Sequence, residues 1–122
     1  MKRTQKECEA LIDETVEYFK THNRATNEDS CYYFDTETEA MCAVGRCLAE
    51  PKRFAETFCD VKHLVPLNGG DEIFREEYQG YPQELWFQIQ RLHDGSHHWD
   101  GNKLTKKGEA RVNYLKSELW VN

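Results

Sequence analysis

Long apolar runs are missing from this chain of 122 residues. No segment approaches the roughly twenty consecutive apolar residues that a membrane-spanning helix requires. The first residues are polar and charged, unlike the apolar centre of a signal peptide. These absences predict a soluble, cytoplasmic protein with no membrane partner.

An excess of basic residues is also missing, because 16 Lys and Arg stand against 22 Asp and Glu, a formal charge of −6. Duplex nucleic acid is therefore not an expected partner, since proteins that bind its phosphates usually carry the opposite balance. The charge is unevenly spread, however. The segment from Glu28 to Glu39 contains acids and no base, whereas the segment from Lys103 to Lys116 contains five bases and a single acid. An acidic patch of this kind would suit a basic groove on a partner protein.

The motifs of several enzyme and metal-site classes are absent as well. There is no glycine-rich phosphate loop, so nucleotide hydrolysis is not supported. The 5 cysteines are an odd number without a closely spaced pair, which favours free thiols in a reducing compartment over a disulfide framework. We predict no cofactor.

The residues that are present favour a folded domain. Hydrophobic residues make up 39% and aromatic residues 12% of the chain, too many for a disordered protein. Apolar spacing, capping residues and prolines predict helices over 4–22, 39–49, 51–59, 82–94 and 105–119. Residues 31–34 are predicted to be a strand, 61–71 a loop or irregular strand pair, and 71–78 one helical turn that Asp71 caps. The expected fold class is mainly α (α+β): one small domain, residues 1–122, of about four to five helices with a short hairpin or small antiparallel sheet.

A cysteine nucleophile is one candidate for the chemistry. Cys42 lies near the start of a predicted helix, where the helix dipole favours a thiolate, and His93 with Asp94 follows about fifty residues later. A Cys42–His93 pair would make a hydrolase or acyl-transfer site. Against this, no Gln or Asn is specifically placed for an oxyanion hole, and Cys42 stands beside small packing residues.

A metal site is the second candidate. The residue types suit zinc, and the alternative ligand set is Cys31, Cys42, His93 and His97. Structural zinc sites usually pair ligands two to four residues apart, and these cysteines are more widely spaced. Structural thiols and histidines are therefore the favoured interpretation.

A binding surface for a small anionic ligand is the third candidate. Aromatic faces can stack on a ligand and guanidinium groups can bind its phosphate or carboxylate. The predicted ligand-binding residues are Tyr32, Tyr33, Arg46, Arg91 and Trp99.

Two short blocks carry a resemblance to known proteins. They are Cys31-x-Tyr33 with Cys42-Ala43-Val44-Gly45, and Leu92-His93-Asp94 with Trp99. Together they resemble a set of small uncharacterised proteins encoded by bacteriophages and bacteria, which also share an amphipathic first helix. The chain departs from their pattern at 46–48, where aliphatic residues are expected, and in the acidic turn at 35–39. The physical interpretation of both blocks is packing: small residues before and at Gly45 press against the aromatic segment, and Trp99 covers the junction.

The resemblance implies an accessory protein of phage type that acts in the host cytoplasm, often against host defence. It carries no established activity, and no catalytic residue transfers from it. We therefore expect a non-enzymatic binding protein that sequesters a small, nucleotide-like ligand or inhibits a host protein. A Cys-His hydrolase and a small zinc-binding module are the alternatives. The aromatic residues, with Trp120 near the end of the chain, are compatible with a homo-oligomer.

Overall fold

The computed structural model describes residues 2–22, 26–27, 30–31, 33–55, 57 and 61–120, and for residues 26, 27, 30, 31 and 96 it describes the backbone alone. The α-helices in this part of the chain are α1 (Gln5–Thr21), α2 (Val61–Leu67), α3 (Gln83–Asp94) and α4 (Lys106–Ser117). Two antiparallel pairs join β1 (Thr26–Asn27) to β2 (Ser30–Cys31), and β3 (Trp99–Asp100) to β4 (Lys103–Leu104). Short 3₁₀ turns cover Gly45–Cys47, Pro51–Phe54, Gly70–Ile73, Glu76–Tyr78 and Ser96–His98. The predicted class, mainly helical with a small antiparallel sheet, is confirmed.

Helix α1 forms where the sequence predicts it because its start and its apolar face agree. The Thr4 hydroxyl accepts a hydrogen bond from the Glu7 amide, and the Glu7 carboxylate accepts one from the Thr4 amide, a reciprocal cap. The buried face is formed by Cys8, Leu11, Ile12, Thr15, Val16 and Phe19. Their spacing of three and four residues places them on one side of the helix, against the core.

Helix α3 is also confirmed, from Pro82 as its N-terminal cap to Gly95 as its C-terminal cap. Its apolar side chains are buried except Phe87, which is half-buried, and the Trp86 ring stacks on Phe74 with 4.4 Å between the ring centroids. Helix α4 begins after Thr105, as predicted, but it ends at Ser117. Leu119, expected on its apolar face, lies beyond the helix and is exposed.

The helix predicted over 39–49 is wrong. Glu39 has a left-handed backbone with φ 61, and the only helical geometry nearby is the 3₁₀ turn at Gly45–Cys47. Leu48 then forms an antiparallel bridge with Phe74. Contacts with distant parts of the chain therefore override the local helical preference of this segment.

The loop predicted over 61–71 is wrong for its first half, which forms α2 despite Pro66. A proline has no amide hydrogen, so it leaves the carbonyl four residues earlier without its helical donor. That carbonyl belongs to Lys62, and the Gln83 side-chain amide donates to it at 3.1 Å. A side chain of another helix thus replaces the missing bond.

Three shorter predictions are changed in part. The helix over 51–59 is a 3₁₀ turn at Pro51–Phe54, and residues 58–60 lie outside the described part of the chain. In place of a strand over 31–34, Cys31 ends β2 and residues 33–34 form a bend. Asp71 caps no turn; its carboxylate accepts from the Gly80 amide at 2.6 Å.

One hydrophobic cluster includes residues from every α-helix. The first turn of α4 lies directly on the turn Ser96–His98, because a β-carbon on Gly108 would stand 2.2 Å from the His98 carbonyl oxygen. Trp120 packs against the same core, and its indole donates to the Leu115 carbonyl at 3.0 Å. None of the described helices has the length and apolar character needed to cross a bilayer.

Candidate functional site

A cleft of about 760 Å³ opens between the C-terminal end of α3 and the N-terminal half of α4. We call it the α3–α4 cleft. Its lining consists of Arg91, Asp94, Gly95, His97, His98, Lys107, Ala110, Arg111 and Tyr114. The volume falls in the range of pockets that bind small molecules, roughly 300 to 1,000 Å³.

The floor of the cleft is the tight turn that follows α3. Gly95 ends α3, and the His98 amide donates back to the Gly95 carbonyl at 2.9 Å. A β-carbon on Gly95 would meet the His98 ring at 2.5 Å, so a larger residue here would displace this buried ring. The Thr105 hydroxyl then accepts from the Gly108 amide and donates to the His97 carbonyl. The cap of α4 is therefore tied to the end of α3.

Three cationic residues line the cleft, and the guanidinium carbon of one of them, Arg91, lies 5.8 Å from the centroid of the Phe87 ring. Lys107 stands in the first turn of α4 and Arg111 one turn later, while Arg91 comes from the last turn of α3. Among the described residues, none of the three forms an ion pair. Arg111 donates to the Gln88 side-chain carbonyl, and its guanidinium carbon lies 5.3 Å from the centroid of the Tyr114 ring.

One carboxylate, that of Asp94, also lines the cleft. Its Oδ1 accepts from the Gln90 side-chain amide at 2.9 Å and from His93 Nδ1 at 2.8 Å. Gln90 in turn accepts at its Oε1 from the Val44 amide at 3.2 Å. This chain of hydrogen bonds connects the wall of the cleft to the buried segment around Val44.

The predicted nucleophile and its base lie in the core. Cys42 and His93 both have a relative exposure of 0%. The Cys42 sulfur accepts from the Gly45 amide at 3.3 Å, and the His93 ring packs edge-on against Phe19. No helix begins at Cys42, so the expected activation by a helix dipole is wrong. Asp94 is the member of the set that reaches the cleft.

The described members of the alternative metal-ligand set, Cys42, His93 and His97, form no metal site. Within the described residues, no group of three or more His, Cys, Asp or Glu side chains is arranged to hold a metal ion. Cys42 and His93 are in the core and His97 lines the cleft. The side chain of Cys31 lies outside the described part of the structure.

Of the predicted ligand-binding residues, Arg91 lines the α3–α4 cleft. Tyr33 and Arg46 are buried, and Tyr32 lies outside the described residues. Trp99 is 5% exposed, and its indole donates to the Leu92 carbonyl at 2.9 Å. It borders a separate cavity of about 540 Å³ beside Lys103.

Arg46 has an internal role. Its guanidinium donates to a Glu14 carboxylate oxygen at 3.1 Å and to the Tyr78 hydroxyl at 3.2 Å. The Tyr78 hydroxyl donates to the other Glu14 oxygen, and the guanidinium carbon lies 5.0 Å from the Tyr18 ring centroid. A guanidinium stays charged even when buried. Through these contacts Arg46 joins its own 3₁₀ turn, Gly45–Cys47, to α1 and to the turn Glu76–Tyr78.

Sequence reasoning missed three residues of the cleft: Lys107, Arg111 and Tyr114. The signal was present in the basic segment from Lys103 to Lys116. Positions 107 and 111 are four apart and share a helix face, and position 114 follows three residues later on that face. The pattern could not show that Arg91, from another helix, lines the same cleft.

No family model matches this chain, and neither a curated protein nor a solved structure is significantly similar to it. The resemblance to small phage and bacterial proteins therefore stays a prediction. We infer function from the geometry of the α3–α4 cleft.

Proposed function

We propose that this protein binds a small anionic compound in the α3–α4 cleft. The observation that carries the proposal is that Arg91, Lys107 and Arg111 line one cleft, without an ion pair among the described residues, in a chain of net charge −6. The chain offers 22 acidic side chains, so three cations left together in one concavity require an explanation.

The arrangement costs stability when the cleft is empty. Like charges four residues apart on a helix, such as Lys107 and Arg111, destabilise it by about 0.2–0.5 kcal/mol. A cation in the first helical turn is unfavourable by about 0.3–1 kcal/mol, because that end of the helix dipole is positive. An anion in the cleft would reverse the sign of both effects. The two arginines can also bind a phosphate or carboxylate through paired N–H groups.

We further propose that the compound is held rather than converted, so that the protein sequesters it. A phage-type role against host defence, as the resemblance implies, would follow if the compound were a host signal. Inhibition of a host protein is the competing proposal. Denaturing the purified protein and searching for a released anionic compound by mass spectrometry separates the two, because repeated absence of any compound favours a protein target.

A thermal-shift titration with inorganic pyrophosphate tests the cleft directly. A ligand at one hundred times its Kd stabilises a protein by about 2.7 kcal/mol, which raises the Tm of a domain of this size by roughly 10 °C. Sodium chloride of equal ionic strength is the reference. No shift with pyrophosphate, nor with a panel of nucleotides and carboxylates, would exclude the proposed function.

Lys107→Gln has a closely matched control in Lys6→Gln. Each lysine is the second residue of its helix and is exposed, so both changes remove the same charge from the same helical position. We expect Lys107→Gln to weaken pyrophosphate binding roughly tenfold and Lys6→Gln to leave it nearly unchanged. Equal effects of the two changes would mean that binding depends on net charge rather than on the cleft.

Arg91→Gln tests the contribution of α3 in the same way. The control is Arg53→Gln, an exposed arginine outside the cleft. We expect weaker binding for Arg91→Gln alone. Mass spectrometry of the compound after incubation with wild-type protein should show it unaltered. A converted product would mean that the protein catalyses a reaction and would contradict sequestration.

A further inference from the structure

We propose that the α3–α4 cleft takes a nucleoside phosphate rather than a bare polyanion, with Asp94 accepting hydrogen bonds from its sugar or base. This inference rests on the proposed function and deepens it. Its basis is that the cleft contains, besides its cations, a fixed carboxylate and an exposed aromatic ring.

The carboxylate of Asp94 is unusual for a site that would bind only phosphate. Its side chain is 39% exposed, and it forms no ion pair with Arg91, Lys107 or Arg111 among the described residues. A bare phosphate would be repelled by this second negative charge. A ligand with hydroxyl or amino groups beside its phosphate would use it as an acceptor.

The two oxygens of this carboxylate differ in their partners. Oδ1 accepts from both Gln90 and His93. For Oδ2, no hydrogen bond is present within the described part of the chain. A carboxylate oxygen carries two lone pairs, so Oδ2 can accept from two neighbouring donors such as the hydroxyls of a ribose.

The position of Asp94 is fixed from the core. Gln90 is 6% exposed and His93 is fully buried, and Gln90 is itself held by the Val44 amide. A buried network of this kind restricts the rotamer of the carboxylate before any ligand arrives. The acceptor is therefore preorganised, which lowers the entropic cost of binding.

Tyr114 supplies a surface for the base. It is 54% exposed in the wall of the cleft, and Arg111 lies over one face of its ring, so a base can stack on the opposite face or on the guanidinium plane. Hydrogen bonding with Glu118, and then the charge of that carboxylate, raise the pKa of the Tyr114 hydroxyl, so the ring stays neutral at physiological pH. Stacking of a base on an aromatic ring strengthens binding by roughly five- to hundredfold and tolerates different bases.

Calorimetric titration of the wild-type protein compares inorganic pyrophosphate with the diphosphates of adenosine, guanosine, cytidine and uridine. We expect at least one nucleoside diphosphate to bind roughly ten- to hundredfold more tightly than pyrophosphate, the effect of a hydrogen bond to a charged group. The corresponding 2′,3′-dideoxy diphosphate should lose much of that gain if the sugar hydroxyls are the donors, and retain it if the base is. If neither the dideoxy sugar nor a change of base weakens binding of the nucleoside diphosphate, the proposed role of Asp94 is overturned.

Asp94→Asn changes the site at one atom. Its Oδ1 can still accept from Gln90 and His93, while Oδ2 becomes an amide that donates instead of accepting. We expect the nucleoside diphosphate to bind about tenfold more weakly and pyrophosphate to bind equally or more tightly. Asp100→Asn, an exposed residue outside the cleft lining, is the control of equal charge change.

The outcomes separate the two proposals. If pyrophosphate binds and no nucleoside diphosphate binds more tightly, the inference is overturned and the proposed function stands. If neither class binds, and no carboxylate of the thermal-shift panel binds, the proposed function fails as well. If Asp94→Asn does not fold, the dideoxy and base comparisons on the wild-type protein still decide the inference.

Discussion

Gly45 shows how one residue depends on a contact far away in the sequence. A β-carbon at this position would stand 1.9 Å from the Tyr33 carbonyl oxygen and 2.8 Å from its carbonyl carbon. These are backbone atoms, which cannot turn aside as the end of a side chain can. The small residues before Gly45 are likewise fully buried, as the packing interpretation of this block predicts.

We therefore expect Gly45→Ala to lower the free energy of unfolding by about 3 kcal/mol, the upper part of the range for overpacked sites. Gly69→Ala is the matched control, because Gly69 has φ 96 but a β-carbon there would meet nothing within 4 Å. It should cost about 1 kcal/mol through backbone strain alone. Urea unfolding measures both, and a loss at Gly45 no larger than at Gly69 would contradict the contact.

The buried thiol of one residue, Cys47, makes the stability of the protein depend on pH. Burial raises the pKa of its thiol from an ordinary 9.0 to about 12. The folded state therefore favours the neutral thiol, and this contribution is complete below about pH 9 and lost as the pH rises from 9 toward 12. Burial raises the pKa values of Tyr18, Tyr78 and Tyr81 in the same direction.

Above pH 9, the contribution of Cys47 to the free energy of unfolding should fall with a slope that approaches about 1.4 kcal/mol per pH unit. A Cys47→Ala variant removes this titration, so its stability should decline less steeply with pH although it is lower throughout. Urea unfolding between about pH 7 and pH 10.5 measures the two slopes. Parallel slopes would show that the thiol does not titrate differently in the folded and unfolded states.

At the scale of elements, α2 exists because a second helix completes it. Pro66 removes the donor for the Lys62 carbonyl, and Gln83 at the start of α3 supplies another. Asn68 also donates from its side chain to the Leu64 carbonyl at 2.8 Å near the end of α2. The sequence around Pro66 predicts a break because neither donor belongs to the regular helical pattern.

A double-mutant cycle tests this replacement. Gln83→Ala should destabilise the protein by about 0.5–1 kcal/mol, the net value of one hydrogen bond. In a Pro66→Ala background, residue 66 provides its own amide hydrogen, so the cost of Gln83→Ala should be near zero. Equal costs in the two backgrounds, measured by urea unfolding, would mean that Gln83 acts independently of Pro66.

At the scale of the whole molecule, charge separation sets how an anion reaches the α3–α4 cleft. The chain has a formal charge of −6, and the basic segment of α4 lies beside Arg91. The attraction at the cleft is short-ranged, because at about 0.1 M salt the screening length is roughly 10 Å. The negative remainder of the surface repels anions at longer range when the salt concentration is low.

Pyrophosphate binding should therefore weaken by roughly tenfold between about 50 and 300 mM sodium chloride. Lys107→Gln should show a shallower dependence than wild type, because one of the screened contacts is gone. Lys6→Gln should keep the wild-type slope. Titration calorimetry at four salt concentrations measures this, and an affinity independent of salt would point to a site other than the cationic cleft.

The parts of the fold and site that sequence could predict depend on local signals. Helix α1 has its cap and its apolar spacing within one segment, and α3 has Pro82 and Gly95 at its ends. Arg91 is predicted to bind a ligand because guanidinium groups suit an anion, and it lies in the cleft. Residue type predicts ligand binding for Tyr33 and Arg46 as well, yet both are buried. Residue type alone does not report burial.

The sequence by itself determined the mainly helical class, the positions of α1, α3 and α4, and the separation of acidic and basic segments, because each depends on residues close together in the chain. Only the tertiary structure decided the turn around Gly45, the helix at Pro66 and the α3–α4 cleft. Each of these requires a group from a distant segment: the Tyr33 backbone, the Gln83 side chain, and Arg91 opposite α4. Such contacts form only when the core brings those segments together.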